Sequence, residues 1–290
     1  MVKDYTKTIT TYLIYFFLPV VVLYTITNII GRNITGDIPM VAFYQSLVDG
    51  LLLVILVIYN INLFKNNKTI EGSNKSKVYN FFNKVIELFV LFFAVKVASG
   101  LIVTLLLKIF NLGDASADNQ QALMLLFKQS PILMTITGVI CAPVIEEIVF
   151  RGVVKKIIKN KWVFIIVSGL IFGLVHVLRH DLPIFILLIL GYILDMIISS
   201  KLDRRKKVVI SICTSIMMFG IMIFGLHIIT GNVIDVMLSI KLSEVINSIV
   251  YIAIGIYLGY VYYKYENIYM NISLHAINNL MSYIMIFTYL

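Results

Sequence analysis

Apolar positions along this chain do not recur every three or four residues, as on an amphipathic helix, nor alternate, as on a half-buried strand. They run on without interruption and are broken by short polar clusters. A run of roughly 18–20 apolar residues is what a helix needs to cross a bilayer. Nine stretches approach or exceed that length, near 9–30, 40–64, 82–110, 131–158, 162–179, 182–200, 208–230, 245–263 and 268–289. The pattern predicts an all-α polytopic membrane protein of about eight or nine transmembrane helices. A membrane barrel is excluded, because barrel strands alternate. The first run, Ile9 to Ile30, is too long for a signal-peptide core and lacks a small-x-small cleavage site, so it is read as an uncleaved span.

Composition sharpens this picture. Of 290 residues 60% are hydrophobic and only 13% charged, with a mean hydropathy of +0.96; a soluble domain of this length has no use for so much apolar surface. The net charge of +9 falls in short clusters between spans, as topology signals do, so nucleic acid is not an expected partner. With the N-terminus inside, 17 of the 24 basic residues lie on the inner side, which by the positive-inside rule makes the N-terminus cytoplasmic. The Lys201–Lys207 cluster is one such determinant. The Ile/Asn/Lys-rich composition points to an AT-rich genome, and a bacterial plasma membrane is the expected location. Cys141 and Cys213 both sit in apolar spans and are expected to be free thiols. Lys65 to Lys77 reads as a solvated inner connector and Asn111 to Lys128 as the main outer loop. The helix through Glu146 is expected to extend into Lys155–Lys159, its lysines at the headgroups.

Ionisable groups inside apolar runs are costly, and by default they mark function. Three segments carry them: Glu146-Glu147-x-x-x-Arg151, Phe172-x-x-x-His176 and His275-x-x-x-Asn279. A depth argument asks whether they meet. The turn between the fourth and fifth spans centres near Lys161, with Glu146 fifteen residues before it and His176 fifteen after. At about 1.5 Å of rise per residue both stand roughly 20 Å above that turn. From Lys264, His275 and Asn279 rise roughly 16–22 Å along the last span. The four groups are predicted to share one layer.

Their chemistry suits attack by water on an amide carbonyl. A carboxylate can act as general base, a facing imidazole can share the water, and His275 and Asn279 can donate to an oxyanion. No serine or cysteine nucleophile accompanies a base at this level. The plainer readings are an ion cluster tying helices together at Glu146, Glu147 and Arg151, an interhelical hydrogen bond at His176, and polar glue at His275 and Asn279. His176-x-x-x-His180 could be a metal pair, or His180 an interfacial neighbour of Arg179 and Asp181; His227 reads as structural or outer-surface. Glu146, His176 and His275 would be the ligands if a divalent ion such as zinc took part, but no HExxH helix is present, and a glutamate–histidine water mechanism requires no ion. Gly255 and Gly259 have the spacing of close helix packing. A proton-coupled transporter would show broken helices and pseudo-repeats, and the sequence has no such repeats.

Together the three segments, with the wording Glu146-Glu147-Ile148-Val149-Phe150-Arg151-Gly152 and the run from Gly255-x-x-x-Gly259 to Asn271-Ile272-Ser273-Leu274-His275, resemble the motifs of the CPBP family of intramembrane proteases. This family is also known as the CAAX protease and bacteriocin-processing, or Abi, family. The resemblance covers about Leu133 to Tyr283. It implies a catalytic domain over 131–290, preceded by N-terminal transmembrane helices over 1–130, with an inserted helix pair near 182–230 that lengthens the usual bacterial pattern. It implies an endopeptidase acting on a membrane-associated peptide or protein. Glu146 would be the catalytic glutamate, His176 its partner on water, and His275 with Asn279 the oxyanion pair. Glu147 and Arg151 would be supporting residues, and Phe172 a wall of the substrate pocket. The family is often labelled metalloprotease. The rival expectation is a non-catalytic regulator or bacteriocin-immunity scaffold of the same fold.

Overall fold

The computed structural model describes residues 2–30, 38–65, 67, 74–112, 118–177 and 242–288. The expected spans near 182–200 and 208–230 lie outside these, as do Arg179, His180, Asp181, the Lys201–Lys207 cluster, Cys213 and His227. Every regular element among the described residues is helical. In chain order they are α1 (Val2–Ile30), α2 (Ile38–Tyr59), the short α3 (Ile61–Lys65), α4 (Asn74–Ile109), α5 (Asp118–Gln129), the composite α6 (Pro131–Ile157), α7 (Lys161–Val177), α8 (Leu242–Tyr265) and α9 (Ile268–Thr288). Four stretches are long and apolar enough to cross a membrane: Met40–Tyr59, Lys77–Ile109, Pro131–Ile157 and Leu242–Tyr265. Four, rather than eight or nine, is therefore the count the described helices support. In α9 the site residues Asn271, His275, Asn278 and Asn279 dilute an otherwise apolar helix.

Several boundaries differ from expectation for local reasons. The second span stops at Tyr59 because Asn60 turns inward, where its buried amide donates to Thr11 Oγ1 at 3.2 Å. The third begins at Asn74, so part of the expected connector is helical. The expected outer loop contains α5, whose Leu123, Leu126 and Phe127 pack on Met134 and Ala42. Helix α6 ends at Ile157 and does not continue to Lys159; Ile158 is extended, with φ −92° and ψ 105°. Asn160 then caps α7, its Oδ1 accepting from the backbone N–H of Trp162 and Val163 at 3.0 and 3.1 Å. The α8–α9 turn is made at Glu266, which has a φ of 47°, and Asn267 Oδ1 accepts from Met270 N–H to start α9.

Helix α6 is not a plain α-helix. It contains two π turns, Thr137–Cys141 and Ile148–Gly152, on either side of Glu146 and Glu147. Such turns loosen the i→i−4 ladder and often fall at functional positions. Here nearby carbonyls take side-chain donors instead: Tyr12 to Val149, Ser168 to Phe150 and Thr8 to Val153, at 3.1, 2.8 and 3.2 Å. In a bilayer, with no water to satisfy freed carbonyls, those donors hold the helix in place.

Helices α7 and α8 pack with almost no side chain between them. A Cβ on Gly169 or Gly173 would run into the backbone of Ile256 or Ile252, and one on Gly255 would come within 2.8 Å of the Gly169 carbonyl oxygen. Gly255 and Gly259 are thus packing glycines. This close approach sets Phe172 and His176 against α6 and α9.

Candidate active site

Glu147 is the buried half of the acidic pair. Its side chain and that of Arg151 are both 0% exposed, with Arg151 Nη1 3.3 Å from Glu147 Oε1. Glu147 Oε1 also receives His275 Nδ1 at 3.0 Å, and Oε2 receives Asn271 Nδ2 at 3.1 Å. Arg151 reaches further, donating from Nη2 to the Gly255 carbonyl at 3.2 Å and lying 4.3 Å over the Phe172 ring. Ion pairing, hydrogen bonding and cation–π contact together hold a charge that would be prohibitive alone. The result is a neutral clamp joining α6, α8 and α9.

Glu146 faces the other way. Its side chain is 14% exposed, and Oε2 lies 3.3 Å from His176 Nε2 and 3.7 Å from His275 Nε2. That oxygen has no hydrogen-bond partner among the described residues. The imidazole protons follow from the neighbours. His176 Nδ1 is 2.7 Å from the Phe172 carbonyl, which can only accept, so Nδ1 carries the hydrogen. His275 Nδ1 faces a carboxylate and donates likewise. In their neutral forms both rings therefore turn an Nε2 lone pair toward Glu146.

Phe172 fixes the two rings. Its centroid is 4.2 Å from that of His176 and 5.6 Å from that of His275. His176 is stacked on its other side against Tyr251, at 5.2 Å and 20° between planes. Asn279, one turn beyond His275, donates from Nδ2 to the Gly138 carbonyl at 2.8 Å and accepts from Asn278 at 3.1 Å. Glu146, His176, His275 and Asn279 line one cavity of about 520 Å³, along with Asp49 and Lys96. That volume suits a small ligand or a short stretch of peptide.

All seven residues singled out from the sequence are accounted for: Glu146, His176, His275, Asn279 and Phe172 line the cavity, while Glu147 and Arg151 lie behind it. Reading the sequence missed Asn271, Tyr251, Asn278 and Lys96. Asn271 carried a signal, because it stands four residues before His275 on the same helix face; Tyr251 carried none. As for a metal, among the described residues no group of three or more His, Cys, Asp or Glu side chains is arranged to hold an ion. Glu146, His176 and His275, the set named for an ion, are not such a group.

Apolar helices long enough to cross a membrane, packed around a polar cavity, define an integral membrane protein. A family model described as "Type II CAAX prenyl endopeptidase Rce1-like" matches residues 128–200 and 196–281, more than half of the chain. The chain belongs to this family, which is a family of proteases. No curated protein and no solved structure matches it.

Proposed function

We propose that this protein is an intramembrane endopeptidase that uses a glutamate-activated water to cleave a membrane-associated peptide or protein. The observation that carries the reading is the convergence of one carboxylate oxygen, Glu146 Oε2, with the Nε2 atoms of His176 and His275 in a single cavity. A water on the cavity side of Glu146 and His176 meets two acceptors and donates its hydrogens to them. Its lone pair is then left to face a carbonyl carbon.

Glu146 takes one of those protons as the water oxygen bonds to the carbonyl carbon. The carbonyl oxygen becomes an oxyanion, accepting from the second Nδ2 hydrogen of Asn279 and from His275. With its Nδ1 hydrogen committed to Glu147, His275 donates from Nε2 only as imidazolium, and the oxyanion is then its counter-charge. Collapse of the intermediate breaks the C–N bond, and the proton held by Glu146 goes to the leaving amine.

The setting that suits this reading is a bacterial plasma membrane with the N-terminus cytoplasmic, supported by the placement of the basic residues. The test compares wild type with Glu146→Gln, expressed to equal level, by mass spectrometry of membrane peptides. Fragments present only with the wild type are expected. Identical profiles would favour a non-catalytic regulator built on the same fold.

A further inference from the structure

The ring of Tyr283 belongs to a small apolar cluster. It stacks on Phe127 of α5, with centroids 5.0 Å apart and 23° between planes, next to Met134 and Ala42. Packing accounts for the ring but not for the hydroxyl. A tyrosine held in a protein interior ordinarily finds a partner for its O–H. This one makes no hydrogen bond among the described residues, and it lines the cavity that holds Glu146 and Asn279.

Gly138 locates the phenol oxygen. A Cβ at Gly138 would overlap the Tyr283 hydroxyl and the adjoining ring edge, so the tip of the side chain rests directly on the α6 backbone. The carbonyl of the same glycine accepts from Asn279 Nδ2 at 2.8 Å. Asn279 and Tyr283 are four residues apart on α9, about 6 Å of rise. A helical side chain leans toward the N-terminus and covers the preceding turn, which brings the long Tyr283 side chain back over the turn of Asn279. Two donors from α9 thus meet α6 at one residue, and Asn279 keeps a second amide hydrogen for the cavity.

We propose that Tyr283, positioned by Phe127, donates its phenol hydrogen to the oxyanion beside Asn279. The proposal rests on the peptidase reading above and adds a donor to it. The family match begins at 128 and ends at 281, so it assigns neither Phe127 nor Tyr283. A phenol donates while neutral, whereas His275 must first become an imidazolium. Tyr283 therefore stabilises the developing charge without a prior protonation. Through the stack on Phe127, helix α5 bears on the chemistry although none of its own side chains supplies a reacting group.

The test uses the full-length enzyme in detergent. Its substrate is the parent peptide of the most abundant fragment that wild type releases and Glu146→Gln does not. Tyr283→Phe keeps the ring on Phe127 and removes only the oxygen. It is expected to lower kcat about 10²-fold with KM within about threefold, the pattern of an interaction made only in the transition state. Its melting temperature should equal that of wild type, since no hydrogen bond within the protein is lost. Phe127→Leu should lower kcat about tenfold by loosening the ring, and should add little when Tyr283→Phe is already present. Turnover of Tyr283→Phe within a few-fold of wild type would overturn the proposal. So would a rise in KM with kcat kept, which would make the hydroxyl a ground-state contact, or a marked fall in melting temperature, which would make it a structural tie. Equal losses from Phe127→Leu in both backgrounds would overturn it too, because the stack would not be what places the donor. Cleavage by wild type that Glu146→Gln abolishes stands whatever these variants do. Identical peptide profiles for wild type and Glu146→Gln would sink the peptidase reading, and this proposal with it.

Discussion

Glu147 and His275, 128 residues apart in the chain, are joined by a 3.0 Å hydrogen bond between Oε1 and Nδ1 in the buried interior. The bond makes the second glutamate the orienting partner of an imidazole that faces the first. Two adjacent carboxylates thereby do different work: one is sealed against Arg151 at 0% exposure, and the other opens to the cavity.

Removing Glu147 strands a buried arginine. Glu147→Ala is expected to lower stability by about 3–5 kcal/mol, the usual cost of breaking a buried pair from one side. Taking both charges away should recover much of that loss, so Glu147→Gln/Arg151→Met should melt above Glu147→Ala in a detergent thermal scan. Activity should stay low in both, because His275 loses its charged anchor. A double variant no more stable than the single one would show that the clamp is not held by charge compensation.

His176 can be tested with little disturbance to packing. His176→Phe retains a ring between Phe172 and Tyr251, whose ring contacts at 4.2 and 5.2 Å hold the imidazole, and deletes both nitrogens. A 10²–10⁴-fold fall in kcat is expected, the range for losing a group that handles a proton, with a melting temperature close to wild type. Turnover within a few-fold of wild type would remove His176 from the water-binding role.

Much of this site was legible because depth in a membrane can be counted. Glu146 and His176 sit at matched distances from the turn that joins their helices, and the fold brings both His176 and His275 within 3.7 Å of the Glu146 carboxylate. The π turns of α6 were not legible, since a continuous apolar run carries no period that would reveal a slip from 3.6 residues per turn. Helix α5 was hidden by its polar first turn, while the packing face of Leu123, Leu126 and Phe127 spans too few residues to announce a helix. Lys96 and Tyr251 belong to no spacing pattern; only the crossing of α4 and α8 with the motif helices gives them a place at the cavity.

The glycines of α7 and α8 should rank by the atoms a methyl group would strike. On Gly173 it meets the Ile252 backbone, which cannot swing aside, whereas on Gly259 its nearest neighbour is the Ile165 carbonyl oxygen at 3.3 Å. Gly173→Ala should therefore cost about 1–3 kcal/mol, as overpacking does, and displace His176, one turn further along the helix. Gly259→Ala should cost clearly less and leave activity nearly intact. Equal effects in a paired melt and peptidase assay would mean that the α7–α8 contact yields more readily than its geometry indicates.

Asn279 separates packing from catalysis. One amide hydrogen is spent on the Gly138 carbonyl at 2.8 Å, so Asn279→Ala loses a helix tie as well as the donor aimed at the cavity. Leaving that carbonyl unsatisfied costs about 1–3 kcal/mol, which a melting curve reads directly. Loss of an oxyanion donor costs about 10²–10³ in kcat with KM little changed. The matched control is Asn278→Ala, next in the chain, which removes the hydrogen bond to Asn279 Oδ1 and an acceptor of Lys96. Its expected signature is a kcat within a few-fold of wild type, because Asn278 touches Asn279 only at Oδ1 and leaves both Nδ2 hydrogens in place. If Asn279→Ala instead raises KM alone, the second amide hydrogen is not directed at an oxyanion, and the donor must be sought elsewhere on the cavity wall.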